Sequence, residues 1–158
     1  MKVLYVEDEL EDLIYDGYDL FFKPFCEKNK VKIDYSEHRA DAKEKFYNSN
    51  YDVLILDLTI PDNQANFEKN VKNSLGGIDL LIDIYKSELF KKTNPKIYIC
   101  SAVGDAIKAA KRSEINHLIY PEMIIDKDED APEKIIKELT SILNDESYYQ
   151  RKAIRNEF

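Results

Sequence analysis

Residues 51–57 have the sequence Tyr-Asp-Val-Leu-Ile-Leu-Asp, in which an uninterrupted apolar run is closed by a carboxylate. A run of this kind is typical of a parallel strand that is covered on both faces. Pro61 follows soon afterwards and cannot continue a strand inside a sheet. The segment therefore predicts a central strand that ends at Asp57.

Four other short runs, apolar or alternating, occur along the chain, and amphipathic stretches separate them. Strands that alternate with helices predict right-handed βαβ units, and here an α/β fold with a doubly wound five-stranded parallel sheet. Pro24 is expected to kink or end the first helix, although the helix can continue past it. The predicted strands are 2–6, 31–35, 51–56, 96–100 and 123–125, and the helical patterns cover 10–21, 40–48, 76–85, 105–115 and 132–143.

Composition excludes several classes of protein. The net charge of −8 argues against a nucleic-acid-binding surface, which needs a basic stripe. Cys26 and Cys100 are too few for a disulfide framework, and no apolar run is long enough to span a membrane. The first residues also lack a signal-peptide pattern. We therefore expect a cytoplasmic protein with no membrane insertion and no direct nucleic-acid partner.

The 158 residues suit one domain, which we predict over residues 1–144. Residues 145–158 are expected to be a helical extension or a frayed tail exposed to solvent. The polar segment 62–76 is expected to be a loop with at most one helical turn. It is either a functional lid or a tolerated surface insertion.

Polar residues follow four of the five predicted strands: Glu7 and Asp8, Asp57, Ser101, and Lys127. In an open parallel sheet, ligands bind outside the carboxyl ends of the strands. Three carboxylates repel one another unless a cation joins them, and oxygen ligands suit Mg²⁺. Asp57 is best placed to act as a nucleophile, with Lys127 and Ser101 binding the phosphoryl oxygens. The sequence therefore predicts an aspartyl-phosphate site.

The motifs that carry these residues resemble the receiver domain of two-component response regulators, the CheY-like family. The resemblance covers residues 1–144 and implies a flavodoxin-like (βα)5 fold. An isolated motif would be weak, but all of them fall at the expected strand ends. In family order, they are Val3-Leu-Tyr-Val-Glu-Asp-Glu9, Asp57-Leu-Thr-Ile-Pro61, Gly77-Ile-Asp-Leu80, Ser101-Ala102 and Asp126-Lys127.

The resemblance also implies a role for the carboxylates. Asp57 would accept a phosphoryl group from a histidine kinase or a phosphotransfer protein. Glu7 and Asp8 match the acidic pair that binds Mg²⁺, with Asp8 the more direct ligand. Together with Asp57, the backbone carbonyl of Thr59 would complete the protein's share of the metal shell.

The remaining roles follow from the same resemblance. Ser101 matches the switch hydroxyl and Lys127 the lysine of the family pattern, whereas Thr59 and Val103 match positions that tune dephosphorylation. Because the sheet takes nearly the whole chain, we expect a single-domain regulator that signals through contact with an unidentified downstream protein. Such a protein is a signalling phosphoacceptor, not a metabolic enzyme, and catalyses only its own phosphorylation and dephosphorylation.

The sequence departs from the family pattern in four places, and all but the long 116–122 segment favour a second interpretation. Asp128, not proline, follows Lys127, and Ile124 takes the place of the aromatic switch residue. The segments 62–76 and 116–122 are both longer than the family pattern requires. The alternative function is therefore a degenerate receiver that acts as a phosphorylation-independent protein interaction module.

Overall fold

The structure is a computed structural model that describes residues 1–15, 18–101, 104–111 and 113–155. Five strands form one sheet, and all neighbouring pairs are parallel. The strand order is β2-β1-β3-β4-β5, the order of flavodoxin-like folds, which confirms the predicted fold class. The strands are β1 (Lys2–Val6), β2 (Lys32–Ser36), β3 (Val53–Leu56), β4 (Lys96–Ser101) and β5 (Ile124–Asp126).

Helices connect the strands and cover both faces of the sheet. Two single-turn 3-10 helices, Asn116–Leu118 and Pro121–Met123, precede β5. Among the described residues, no helix is both long and apolar enough to cross a bilayer. The α-helices are α1 (Leu10–Tyr15), α2 (Tyr18–Asn29), α3 (Arg39–Asn48), α4 (Gln64–Glu68), α5 (Gly76–Lys86), α6 (Glu88–Thr93), α7 (Gly104–Lys111), α8 (Ala131–Leu143) and α9 (Glu146–Arg155).

The core is divided by the sheet into two hydrophobic clusters. Successive side chains of a strand point to opposite faces, so alternate residues of β3 enter different clusters. Leu54 and Leu56 pack on the face covered by α3 and α5, whereas Val53 and Ile55 pack on the face covered by α2 and α8. All four side chains are fully buried. The apolar run of β3 is therefore explained by burial on both faces.

Several helices differ from the predicted ones. Helix α2 contains Pro24 and continues to Asn29. Helix α6 was not predicted, and it begins where the Ser87 hydroxyl caps it by accepting a hydrogen bond from the Phe90 amide at 3.1 Å. Helix α7 ends at Lys111, so it is shorter than the predicted 105–115 helix, whose residue 112 lies outside the described residues.

The C-terminal helix α9 packs against the domain through polar and aromatic contacts. Tyr148 is buried, and its hydroxyl donates to Asp52 Oδ2 at 3.3 Å. Arg155 Nη2 lies 3.1 Å from Asp52 Oδ1, and Lys152 Nζ lies 3.3 Å from Oδ2. The described part of the extension is thus an anchored helix and not a solvated tail.

Candidate functional site

Hydrogen bonds beyond the ends of two strands hold acidic residues at the carboxyl edge of the sheet. The Glu7 amide donates to the Ser36 carbonyl at 2.9 Å, and the Asp57 amide donates to the Val6 carbonyl at 3.0 Å. Each bond continues the parallel pairing by one residue. Glu7 and Asp57 are therefore fixed in neighbouring positions just after β1 and β3.

Three carboxylates meet at this edge, as predicted. One oxygen from each of Glu7, Asp8 and Asp57 lies within 4.8 Å of the others. Glu7 is fully buried and Asp57 is 7% exposed. The side chain of Asp8 is 4% exposed. Buried like charges at this separation repel strongly unless a cation lies among them.

Lys127 supplies part of the compensating charge. Its Nζ lies 2.6 Å from Glu7 Oε2 and 3.2 Å from Asp57 Oδ2. Its backbone amide donates to the Ser101 carbonyl at 3.2 Å, which ties the end of β5 to the end of β4. Burial lowers the pKa of the Lys127 ammonium, but the charges of Glu7 and Asp57 outweigh burial and raise it overall. Lys127 therefore stays charged and bridges two of the three carboxylates.

The pKa values of the carboxylates show how costly their crowding is. Burial, followed by the charge of Asp57, raises the pKa of Glu7 to about 7 in spite of Lys127. Burial also raises the pKa of Asp57, against the opposing effect of Lys127. Both groups therefore hold a proton more readily than an exposed carboxylate. A cation among them would favour their ionised forms.

The loop after β3 is held closely against the start of α5. The Thr59 amide donates to Asp57 Oδ1 at 3.2 Å, and the Gly77 amide donates to the Leu58 carbonyl at 2.9 Å. A Cβ at Gly77 would lie 2.6 Å from Leu58 Cα, so only glycine permits this approach. The backbone of this loop therefore orients the Asp57 carboxylate through the Thr59 amide. The role of the Thr59 carbonyl as a metal ligand stays a prediction.

Three buried oxygen atoms at the site have no hydrogen-bond partner among the described residues: Glu7 Oε2, Asp8 Oδ1 and Ser101 Oγ. Glu7 Oε2 has the ion pair with Lys127, whereas the other two have no such contact in the described part of the chain. Ser101 is 2% exposed and ends β4, beside the start of the Lys127 loop. Buried polar atoms without partners are rare and costly, and they commonly mark a place for an ion or a ligand. Ala102 and Val103, which follow Ser101, lie outside the described residues.

Two charged residues at the site were not predicted. Lys72 Nζ lies 3.0 Å from Asp8 Oδ2 and 2.6 Å from Glu9 Oε1. Glu9 also approaches Lys127 Nζ at 3.6 Å. In the sequence, Glu9 is only the last residue of the first family motif, and Lys72 lies in a polar segment without periodicity. The nearest signal was the position of segment 62–76 directly after the Asp57 loop.

Ile124, which departs from the family pattern, begins the strand that leads to Lys127. Ile124 is half-buried and packs against the cluster between the sheet and α5. Tyr120, the nearest aromatic residue before it, is 53% exposed. The position that matches the family's aromatic switch residue is therefore occupied by an aliphatic side chain.

The assembled site suits phosphoryl chemistry. Oxygen donors of Glu7, Asp8 and Asp57 are the ligand type that a hard divalent cation prefers. The two oxygens of the Asp57 carboxylate contact the Thr59 amide and Lys127. Lys127 also provides positive charge where the oxygens of a transferred phosphoryl group would lie. Five predicted side chains therefore lie at this one edge: those of Glu7, Asp8, Asp57, Ser101 and Lys127. The Lys127 ammonium links Glu7 to Asp57, and the Lys127 amide is bonded to the Ser101 carbonyl.

No protein-family model and no curated protein matches the chain. Solved structures do match it over most of its length. A sensor protein from Polaromonas sp. JS666 is 16% identical with a TM-score of 0.59, and the match covers 89% of this chain and 93% of that one. A CheY-like response regulator receiver domain from Methylobacillus flagellatus is 20% identical with a TM-score of 0.55, covering 88% and 98%.

A third similar structure contains a bound group. The response regulator protein TrrA from Thermotoga maritima, in complex with Mg(2+)-BeF, is 24% identical with a TM-score of 0.54, covering 87% of this chain and 97% of that one. At these identities the likeness establishes the fold. Together with the strand order, it confirms that this chain has the fold of CheY-like response regulator receiver domains.

Proposed function

We propose that this protein is a response regulator receiver that accepts a phosphoryl group on Asp57. The donor is a phosphohistidine of a histidine kinase or a phosphotransfer protein. The observation that carries the proposal is the meeting of Glu7, Asp8, Asp57 and Lys127 at the carboxyl edge of a receiver-type sheet. Output occurs through contact with a downstream protein, and the two free cysteines suit a cytoplasmic location.

The chain's own residues account for the transfer. An Asp57 oxygen attacks phosphorus, so that an O–P bond forms as the N–P bond of the donor breaks. The imidazole leaves with the electron pair of that bond and takes a proton from solvent. Lys127 stabilises negative charge on the phosphoryl oxygens, and the Thr59 amide keeps Asp57 oriented. The Ser101 hydroxyl, buried and without a partner among the described residues, then binds a phosphoryl oxygen.

The residues present also fit Mg²⁺. Asp8 Oδ1 is a buried carboxylate oxygen without a hydrogen-bond partner among the described residues, and it lies in a cluster of three carboxylates. Asp8 and Asp57 would hold the ion directly with the Thr59 carbonyl, and Glu7 would complete the acidic shell. When bound, Mg²⁺ neutralises charge on the transferring phosphoryl group.

The alternative is a degenerate receiver that binds a protein partner independently of phosphorylation. Ile124 favours this alternative because an aliphatic side chain does not swing between buried and exposed positions with the consequences of an aromatic one. The retained carboxylates and Lys127 favour phosphorylation. Both functions use the same fold. They differ in whether binding of the partner depends on phosphorylation of Asp57.

The test is the intact mass of the protein after incubation with acetyl phosphate and Mg²⁺. We expect the wild-type protein to gain one phosphoryl group, and Asp57→Asn to gain none. Chelation of Mg²⁺ with EDTA should abolish the gain. Asp52→Asn is the matched control, because Asp52 is an equally buried aspartate at the opposite end of β3, and it should be modified like wild type.

Failure of wild type to gain a phosphoryl group would contradict the proposal if a phosphohistidine donor also failed. A gain that persisted in Asp57→Asn would move the acceptor to another residue. Binding of a partner that is equal for wild type, Asp57→Asn and the phosphorylated protein would instead support the phosphorylation-independent module.

A further inference from the structure

Lys72 places a positive charge at the mouth of the carboxylate cluster. Its ammonium contacts Asp8 Oδ2 at 3.0 Å and Glu9 Oε1 at 2.6 Å. Asp8 is one of the three clustered carboxylates, and its other oxygen is buried without a hydrogen-bond partner among the described residues. The lysine thus holds one oxygen of a residue whose second oxygen is unsatisfied.

The surroundings make this lysine unusual. It lines a cavity of about 530 Å³ between segment 62–76 and the start of α1. Among the described residues that line the cavity, Lys72 is the one basic side chain. Six acidic residues also line the cavity: Asp8, Glu9, Glu11, Asp12, Glu37 and Glu68. Removing the ammonium, or moving it away, leaves most of the acidic residues of this cavity without a nearby counterion in the described chain, and Glu9 keeps only the 3.6 Å contact with Lys127.

The backbone that follows Lys72 is held to the rest of the domain independently of the ammonium. Asn73 and Ile60 form an antiparallel bridge with N···O distances of 3.1 and 3.2 Å, and the Asn73 side chain donates to Asp62 Oδ1 at 3.0 Å. On the other side, the Val71 amide donates to the Asn66 carbonyl at 2.8 Å. The Lys72 side chain is 30% exposed. Lys72 can therefore leave Asp8 without loss of the bridge at Asn73.

We propose that Lys72 is a tethered cation that competes with a divalent metal ion for Asp8. A metal ion on Asp8 Oδ1 repels the ammonium that contacts Oδ2. The Lys72 side chain is partly exposed and can move into solvent, whereas the more buried Lys127 stays between Glu7 and Asp57. Lys72 thereby weakens metal binding and links occupancy of the metal site to the contacts of segment 62–76. The inference rests on the proposed function, since it takes the carboxylate cluster to be a Mg²⁺ site.

The first experiment measures Mg²⁺ affinity by isothermal titration calorimetry at low ionic strength. We expect Lys72→Met to bind Mg²⁺ about three- to tenfold more tightly than wild type, the range expected for losing a partly exposed charge. Lys72→Arg keeps the charge and should stay close to wild type. Lys69→Met is the matched control, because it lies on the same segment and no acidic side chain among the described residues pairs with its ammonium.

The second experiment measures hydrogen exchange with and without saturating Mg²⁺. In wild type, exchange across residues 66–72 should accelerate when Mg²⁺ binds, while the amides bonded at Ile60 and Asn73 stay protected. In Lys72→Met, Mg²⁺ should leave the exchange of residues 66–72 unchanged, since no ammonium remains to be displaced.

The outcomes separate this inference from the function on which it rests. Equal or weaker Mg²⁺ affinity in Lys72→Met would overturn the competition and leave the Mg²⁺ site intact. Absence of Mg²⁺ binding in wild type and Lys72→Met alike, with both indistinguishable from Asp8→Asn, would overturn the metal site and the inference together. Tighter binding in both Lys72→Met and Lys69→Met would reduce the effect to net charge and also overturn it.

Discussion

Strand β3 has a buried aspartate at each end, and the rest of the chain surrounds the two carboxylates in opposite ways. Asp52 precedes the strand and Asp57 follows it, with 8% and 7% of their surfaces exposed. Burial is therefore equal. The difference lies in the charges and hydrogen-bond donors that each carboxylate meets.

Asp52 meets donors and positive charge on every side. The Lys2 amide donates to Oδ2 at 2.7 Å, and the Tyr148 hydroxyl donates to the same oxygen at 3.3 Å. Lys152 and Arg155 lie within 3.3 and 3.1 Å of its oxygens. A buried charge that is paired and hydrogen-bonded in this way anchors structure, here the helix α9.

Asp57 meets one ammonium and one amide, and its other close neighbours include two acidic groups. Lys127 contacts it at 3.2 Å, but Lys127 is shared with Glu7 at 2.6 Å. Asp8 and Glu7 each bring a carboxylate oxygen within 4.8 Å. Negative charge is thus in excess at the carboxyl end of β3 and compensated at the amino end. Excess buried charge is a cost that stability alone does not explain, and it indicates a site for a ligand.

The largest expected effect is the difference in stability between two matched substitutions, Asp52→Asn and Asp57→Asn. Asp52→Asn removes the charge that faces Lys152 and Arg155, and should lower the free energy of unfolding by about 3 kcal/mol. Asp57→Asn should raise it in metal-free buffer by up to about 1 kcal/mol, because the raised pKa of Asp57 means that its charge is unfavourable in the folded chain. Urea denaturation in EDTA measures both. Equal destabilisation by the two variants would contradict the distinction.

Sequence patterns predicted the part of this comparison that depends on short-range order. The apolar run 53–56 and the carboxylate after it are adjacent in the chain, so the buried strand and the position of Asp57 followed directly. The edge formed by Glu7, Ser101 and Lys127 followed from parallel strands that end on one side. Periodicity and strand ends therefore determined the fold class and the predicted side chains of the site.

The remaining features depend on contacts between residues that are distant in the sequence. Asp52 and Arg155 are separated by 103 positions, and Lys72 and Glu9 by 63. A single charged side chain carries no periodic signal that names its partner, and α9 is polar enough to resemble a solvated extension. Helix α6 was missed for a local reason, since it starts at the Ser87 cap one residue after α5 ends.

A pH titration sharpens the comparison at the carboxyl end. The pKa of Glu7 is raised to about 7 by burial and by Asp57, so the folded chain binds a proton that the unfolded chain has already lost. Below about pH 4.5 both states are protonated and the effect vanishes, whereas stability falls as the pH rises toward 7. Glu7→Gln should therefore gain stability relative to wild type over this range, by on the order of 2 kcal/mol.

The measurement is urea denaturation of both proteins in EDTA at pH 5 and at pH 7.5. Asp57→Asn should also flatten the pH dependence, because the raised pKa of Asp57 acts in the same direction. A difference between Glu7→Gln and wild type that is the same at the two pH values would show that Glu7 does not carry the proton.

The smallest expected effect comes from removing a single hydroxyl at the amino end of β3. Tyr148→Phe removes the 3.3 Å hydrogen bond to Asp52 and leaves the buried ring in place, so it should cost about 0.5–1 kcal/mol of unfolding free energy. Tyr98→Phe is the matched control, because its hydroxyl donates to Glu138 at 3.0 Å, away from Asp52.

In the Asp52→Asn background, Tyr148→Phe should cost less, while Tyr98→Phe should cost the same. Additivity of Tyr148→Phe with Asp52→Asn would mean that the hydroxyl and the carboxylate do not act together. Coupling between them would show that α9 is held by the buried charge of Asp52 as well as by the buried ring of Tyr148.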